Sequence, residues 1–171
     1  MHEAPGDSAQ TLLVGVGNPL RGDDGVGIHV VRRLRERGLP DGCVAEELHG
    51  GWLSLLDRLH LYRRLVVVDA VDAGLAPGTI VEVELPGGGG ALAAAPATGH
   101  ALGLVEVLQI AREVKPGSTV EVTAFGIQVA DASGFSESCS APVAAALEAA
   151  CDSIRAVLEG GAGSIGPARR S

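Results

Sequence analysis

The 171-residue chain carries 13 Lys and Arg against 21 Asp and Glu, a formal charge of −8. No basic run gathers on any segment, and Trp52, Tyr62, Phe125 and Phe135 are the only aromatics, which argues against a nucleic-acid surface of phosphate contacts and stacking platforms. With 46% hydrophobic and 20% charged residues, the composition is that of one globular domain whose core is Val, Leu, Ile and Ala.

Cys43, Cys139 and Cys151 are widely spaced and odd in number, which supports neither a zinc ribbon nor a disulfide framework. Reduced, buried thiols of a cytoplasmic protein are the simpler expectation. Residues 1–10 lack the basic-then-apolar pattern of a signal peptide, and no apolar run approaches the roughly 20 residues of a membrane span. Residues 1–10 and 160–171 are expected to be flexible tails around a domain over 11–159.

In chain order, Thr11–Val16 is a short apolar run with the pattern of a buried strand. Val26, Val30, Val31 and Leu34 fall at helical spacing over 26–37, and Gly38 and Pro40 stop that helix. Cys43–Leu48 is a weaker strand, and Trp52–Leu59 is expected to be a short helix. Leu65–Val68 is the strongest central strand, ending sharply at Asp69, and Thr79–Leu85 alternates like a half-exposed one. After the Gly/Ala/Pro loop Pro86–Gly99 come a helix through Leu104, Val105, Leu108 and Ala111, then a strand over Thr119–Phe125. The last helix starts near Ser140–Pro142, carries Val143, Leu147, Cys151, Ile154 and Leu158, and ends at Gly160–Gly161. The alternation predicts a single α/β domain with a mostly parallel sheet covered on both faces. In such sheets ligands sit beyond the carboxyl ends of the strands, where the strand order switches.

Three loops at that edge carry chemistry. The first, Gly15-Val16-Gly17-Asn18-Pro19-Leu20-Arg21-Gly22-Asp23-Asp24-Gly25-Val26-Gly27, occupies the place of a dinucleotide fingerprint but matches it poorly. Leu20 stands where a glycine is needed, Pro19 removes a donor, and Asp23 and Asp24 put two carboxylates where a pyrophosphate would lie. Helix capping by either Asp is the plain alternative. The second is Asp69, which faces the same crevice as Asp24 if the first and third strands are neighbours. Converging carboxylates there repel unless a proton or cation intervenes.

The third is His100, just before a helix whose amino terminus favours the neutral, ligating imidazole. Two carboxylates and an imidazole suit a borderline divalent ion such as zinc, nickel, manganese or iron. His2, His29 and His60 have the setting of solvated or helix-flank residues, whereas His49, in His49-Gly50-Gly51, lies at another strand's carboxyl end. Ser136, Ser138 and Cys139 have no base paired with them in the sequence, so no nucleophilic dyad is evident. A phospho-receiver domain fits worse, because the paired acids lie seven and eight residues beyond Val16 and Lys115 precedes the last strand.

Taken together, the first loop, Val67-Val68-Asp69-Ala70 with Gly74–Ile80, His100-Ala101-Leu102-Gly103-Leu104, and Phe125-Gly126-Ile127-Gln128 closely resemble the [NiFe]-hydrogenase maturation protease family over about residues 11–158. The resemblance implies a three-layer α/β/α sandwich and an aspartic-type endopeptidase. Such an enzyme removes a carboxy-terminal extension from a hydrogenase large-subunit precursor after nickel insertion. It further implies that Asp24, Asp69 and His100 contact the metal, which the substrate presents, with Asp24 and Asp69 also the candidate catalytic groups. Asp23, His49, Gly50 and Gly51 are candidates for the substrate-contacting loops. No organic cofactor is implied, and a monomer is expected. Two departures stand out: Asp24 is one methylene shorter than the Glu common in the family, and His49-Gly50-Gly51 replaces a frequent Asp-Gly-Gly. The competing classes are a non-enzymatic metal-binding or chaperone-like module on the same fold, and a nucleotide-binding protein.

Overall fold

The computed structural model describes residues 11–85, 107–111, 113, 120–130 and 134–160. Strands β1 (Thr11–Val16), β2 (Cys43–Leu48), β3 (Arg64–Val71), β4 (Ile80–Leu85) and β5 (Glu121–Gln128) form one sheet in the order β2-β1-β3-β5-β4. The β1–β2, β1–β3 and β3–β5 pairs are parallel, and β4 joins β5 antiparallel at the edge. The sheet is therefore mixed but mainly parallel, and β1 and β3 are neighbours. Residues 1–10, 86–106 and 161–171 fall outside the described residues, and with them the expected tails apart from Gly160 and the start of the helix expected through Leu104; residues 107–111 are helical.

Strand alternation sorts the apolar side chains into two cores. Leu13, Val66, Val68, Phe125 and Ile127 pack under α1 (Val26–Glu36) and α2 (Ala141–Leu158). Leu12, Val14, Leu65, Val67 and Val122 pack on the other face under Trp52, Leu55, Leu59, Tyr62, Val107 and Leu108. The result is three layers. Ion pairs from Arg33 and Arg37 to Glu148, and from Arg37 to Asp152 at 3.0 Å, tie α1 to α2 along their exposed sides.

Besides the last strand, expected over Thr119–Phe125 and running Glu121–Gln128, two expectations change. Trp52–Leu59 is not one helix but two short 3-10 turns, Trp52–Leu55 and Leu59–Leu61, which set Trp52, Leu55, Leu59 and Tyr62 against the sheet. In addition, β3 does not end at Asp69: β5 goes on pairing beyond it, with Asp69 opposite Gly126 and Val71 opposite Gln128. Neighbour β1 ends at Val16, level with Asp69 by register, its last pair with β3 being Gly15 with Val68. Asp69 is thus the first β3 residue beyond the β1–β3 ladder, and Ala70 and Val71 run on past the end of β1, which leaves a step there.

Glycines set the distance between α1 and this step. A Cβ on Gly27 would meet the carbonyl oxygens of Val68 at 2.3 Å and Val16 at 2.5 Å, and one on Gly15 would meet the Gly27 oxygen at 2.2 Å. At Gly17 φ is +132°, and a Cβ would lie 1.9 Å from the Asp24 oxygen. The substitution Gly27→Ala is expected to lower unfolding free energy by about 3 kcal/mol or more, because backbone rather than a movable side chain must yield. Urea denaturation checks this; a loss under 1 kcal/mol contradicts the packing.

On α1, His29 is partly buried, and its Nε2 atom has no hydrogen-bond partner. Burial, then the charges of Arg32 and Arg33, hold its pKa below the ordinary 6.5 against the opposing pull of Glu47. The unfolded chain takes up that proton near its ordinary pKa while the folded chain does not. Stability is therefore full above about pH 6.5 and falls as pH drops towards the lowered folded value. His29→Leu is expected to flatten the stability profile between pH 7 and 5; an unchanged slope in denaturant titrations would refute the assignment.

Candidate active site

The loop after β1 turns sharply through Gly17 and returns as a single 3-10 turn, Gly22–Gly25, before α1 begins. Its two adjacent acids point to different places. Asp24 folds back over the end of β1, where its Oδ2 accepts the Asn18 N–H at 3.0 Å, and it keeps part of its surface in solvent. Asp23 is wholly buried. One of its oxygens accepts the Ser140 N–H at 2.6 Å; the other accepts the Ala130 N–H at 2.9 Å and the Ser140 hydroxyl at 2.8 Å. It therefore joins the first loop to the exit of β5 and to the N-cap of α2. Asp23 offers a substrate no accessible surface in this conformation.

Asp69 is 8% exposed, and its Oδ1 accepts the Ala70 N–H at 2.8 Å. Alternation along β3 puts its side chain on the Leu65 and Val67 face, the face covered by the helical residues Val107 and Leu108. Asp24 and Asp69 thus lie at the same carboxyl edge of the sheet, over the β1–β3 boundary. His100 lies outside the described residues, seven positions before Val107, where the helical segment on the Asp69 face begins. Among the described residues no three His, Cys, Asp or Glu side chains converge as a metal cage.

His49 sits at the same edge beyond β2, half-exposed, with Nε2 3.3 Å from Glu47 Oε2. Burial pulls the Glu47 carboxyl up, but the Arg32 hydrogen bond and the charges of Arg32, Arg35 and His49 together hold it below its usual value. Gly50 and Gly51 face open space, so side chains there would be tolerated sterically. The Gly17 N–H donates to the Leu48 oxygen at 3.2 Å and links this loop to the first.

Thiol chemistry is remote. Burial, reinforced by the nearby Asp23, pushes Cys139 up to about 11, and burial does the same for Cys43, slightly offset by Arg64. Neither thiol is a thiolate at neutral pH. Gln128, quoted in the sequence as part of a motif but given no role there, is buried at the end of β5. Its Oε1 accepts the Ala73 and Leu75 N–H groups at 2.8 and 3.2 Å, and its Nε2 donates to Asp72 Oδ1 and the Val129 oxygen. This clamp fixes the loop that follows Asp69. The signal was a lone amide closing the apolar run Phe125-Gly126-Ile127.

A doubly wound α/β domain with its loops gathered at the β1–β3 step has the architecture of an enzyme whose substrate docks at the carboxyl edge. Comparison with known proteins makes the class specific. A family model of hydrogenase maturation proteases matches residues 28–157. The hydrogenase expression/formation protein HupM of Azotobacter chroococcum is 35% identical over 149 residues, covering 85% of this chain and 69% of that protein. HoxM of Azotobacter vinelandii is 34% identical over 152 residues, covering 86% and 70%. Among solved structures, the hydrogenase maturating endopeptidase HybD from E. coli matches with a TM-score of 0.77 at 26% identity, covering 88% of this chain and 93% of that one. A hydrogenase 2 maturation peptidase from a Thaumarchaeota archaeon matches at 0.62 and 32%, covering 88% and 97%. The chain belongs to the hydrogenase maturation protease family and is accordingly a hydrolase, an endopeptidase of hydrogenase maturation; a non-enzymatic role on this fold is not favoured.

The network on Asp23 yields a test. Asp23→Ala leaves two backbone N–H groups without their acceptor, and a loss of about 2–4 kcal/mol is expected in urea denaturation. Asp23→Asn should not restore it, because both carboxylate oxygens accept a backbone N–H and an amide has one oxygen only. Wild-type stability in the Asn variant would overturn this account.

Proposed function

We propose that this endopeptidase removes a carboxy-terminal extension from a [NiFe]-hydrogenase large-subunit precursor after nickel has been inserted. The observation that supports this most is the placement of Asp24 and Asp69 over one step of the sheet, in a chain of formal charge −8. Carboxylates at a shared edge favour a cation. In the proposed reaction the cation belongs to the substrate: the precursor's nickel docks against Asp24, Asp69 and His100, which brings the scissile peptide to the same edge. Docking converts metal occupancy into correct positioning of the bond to be cut. Attack by water then needs a base or a polarised carbonyl; a carboxylate of this pair supplies the first, the substrate's nickel the second. A cytoplasmic setting is part of the proposal and agrees with three free cysteines; among the described residues no helix is long and apolar enough to cross a membrane.

Mass spectrometry of the precursor, with and without nickel and after incubation with the protein, tests the reading. Loss of a carboxy-terminal peptide is expected from the nickel-loaded form alone. Asp24→Ala and Asp69→Ala should each lower turnover by at least about 100-fold at wild-type folding, and His100→Ala should weaken it comparably. Equal cleavage of the nickel-free precursor would remove the metal checkpoint, and normal turnover in Asp24→Ala would remove the carboxylate site.

A further inference from the structure

Three of the four aromatic side chains are buried: Trp52 at 4%, Tyr62 at 3% and Phe125 at 1% exposure; Phe135, by contrast, is 93% exposed. A single exposed apolar residue is ordinary, but Phe135 is not alone. The Gly22 N–H donates to the Ser136 oxygen at 2.7 Å, and the Ser136 N–H donates to the Leu20 oxygen at 3.0 Å, forming a parallel bridge of Arg21 with Ser136. That register sets Phe135 beside Leu20, itself 50% exposed. The pair is also coupled to Asp24. Asn18 Oδ1 accepts the Leu20 N–H at 3.0 Å while the Asn18 N–H donates to the Asp24 carboxylate, and the Asp24 N–H donates to the Arg21 oxygen at 3.2 Å. The first loop and its bridge to the 134–140 segment therefore hold the apolar pair and the acidic side chain in one backbone network.

Arg21, between the two loops, is exposed, and its guanidinium has no partner among the described residues. At this end of the sheet Arg32 and Arg35 are engaged with Glu47, and elsewhere Arg37 pairs with Asp152 and Arg58 with Glu46; Arg63, exposed like Arg21, lies at the opposite end, just before β3. An unengaged cation on an acidic chain, flanked by two exposed apolar side chains, is complementary to a peptide carrying an apolar residue beside a carboxylate. A second copy of this chain fits less well, since two bodies of charge −8 repel.

We propose that Leu20 and Phe135 grip an apolar side chain of the precursor polypeptide, with Arg21 pairing a neighbouring carboxylate of the same peptide, as a specificity contact beside the cleavage edge. The proposal rests on the reading of the Asp24 edge as the place where the precursor is cut. Cleavage of the nickel-loaded precursor by Phe135→Ser is expected to show KM raised about tenfold with kcat within twofold of wild type. Leu20→Ser combined with it should raise KM further, and Arg21→Gln should raise KM most at low ionic strength. All three positions are exposed, so melting temperatures should stay at the wild-type value, which excludes misfolding. Unchanged KM in Phe135→Ser, with wild type cutting normally, overturns the grip and leaves the protease reading intact. A wild-type dimer in sedimentation that Phe135→Ser converts to monomer without altering cleavage also overturns it, in favour of self-association. Failure of the wild-type protein to cut any nickel-loaded precursor overturns the reading and the grip together.

Discussion

Backbone packs directly on backbone where α1 starts over the carboxyl ends of β1 and β3, and the functional edge takes its shape from that contact. Gly15 and Gly27 remove the side chains that would hold the helix off, and Gly17 lets the chain reverse within a residue of the strand end. The helix start is thereby pinned between Val16 and Val68, so the loop between Gly17 and Gly25 has little room to wander. Asp24 then reaches the Asn18 N–H, and Asp69 lies at the same edge, level with the end of β1. A sequence that looks like a degenerate phosphate cradle is better explained as a packing device that positions a carboxylate.

The two adjacent acids illustrate how one dipeptide serves two links of the chain from sequence to function. Asp23 turns inward and satisfies backbone donors from two distant segments, and these hydrogen bonds stabilise its charge. Asp24 turns towards the edge. The inward residue sets where the 134–140 segment runs, hence where Ser136 meets Leu20 and Gly22. Removing Asp23 would therefore disturb the edge indirectly, through the position of the second loop, whereas changing Asp24 acts on the edge itself. Gln128 does the equivalent work on the far side, holding the loop after Asp69 with both ends of its amide.

Much of this was legible in the sequence, because parallel strands buried on both faces are short apolar runs and amphipathic helices keep their period. A general rule for open α/β sheets offered an order in which the first and third strands are neighbours, and the sheet has that pairing, with Asp24 and Asp69 at one edge. The misread features are non-local. Nothing within Leu65–Asp69 reveals that β5 will extend the ladder to Val71; that depends on the length of a strand some fifty residues later. The leucines of Trp52–Leu59 have helical spacing, yet the segment breaks into two 3-10 turns that lay Trp52 and Tyr62 on the sheet. The inward turn of Asp23 was equally hidden, because its partners, Ala130 and Ser140, are more than a hundred residues away.

The thiols and the carboxylates divide the chemical possibilities at this edge. With Cys139 pushed up to about 11 beside a buried carboxylate, a thiolate nucleophile there would have to form against both desolvation and like charge. The structure thus withholds the group that most readily makes a covalent intermediate and supplies carboxylates at the strand step. On the proposed reading this choice has a regulatory consequence. An edge carrying Asp24 and Asp69 on an acidic chain is electrostatically poor for a precursor without its metal and favourable for one bearing a divalent ion. Discrimination between unfinished and finished substrate then needs no separate sensor, because the charge that makes the edge repel the first is the charge that binds the second.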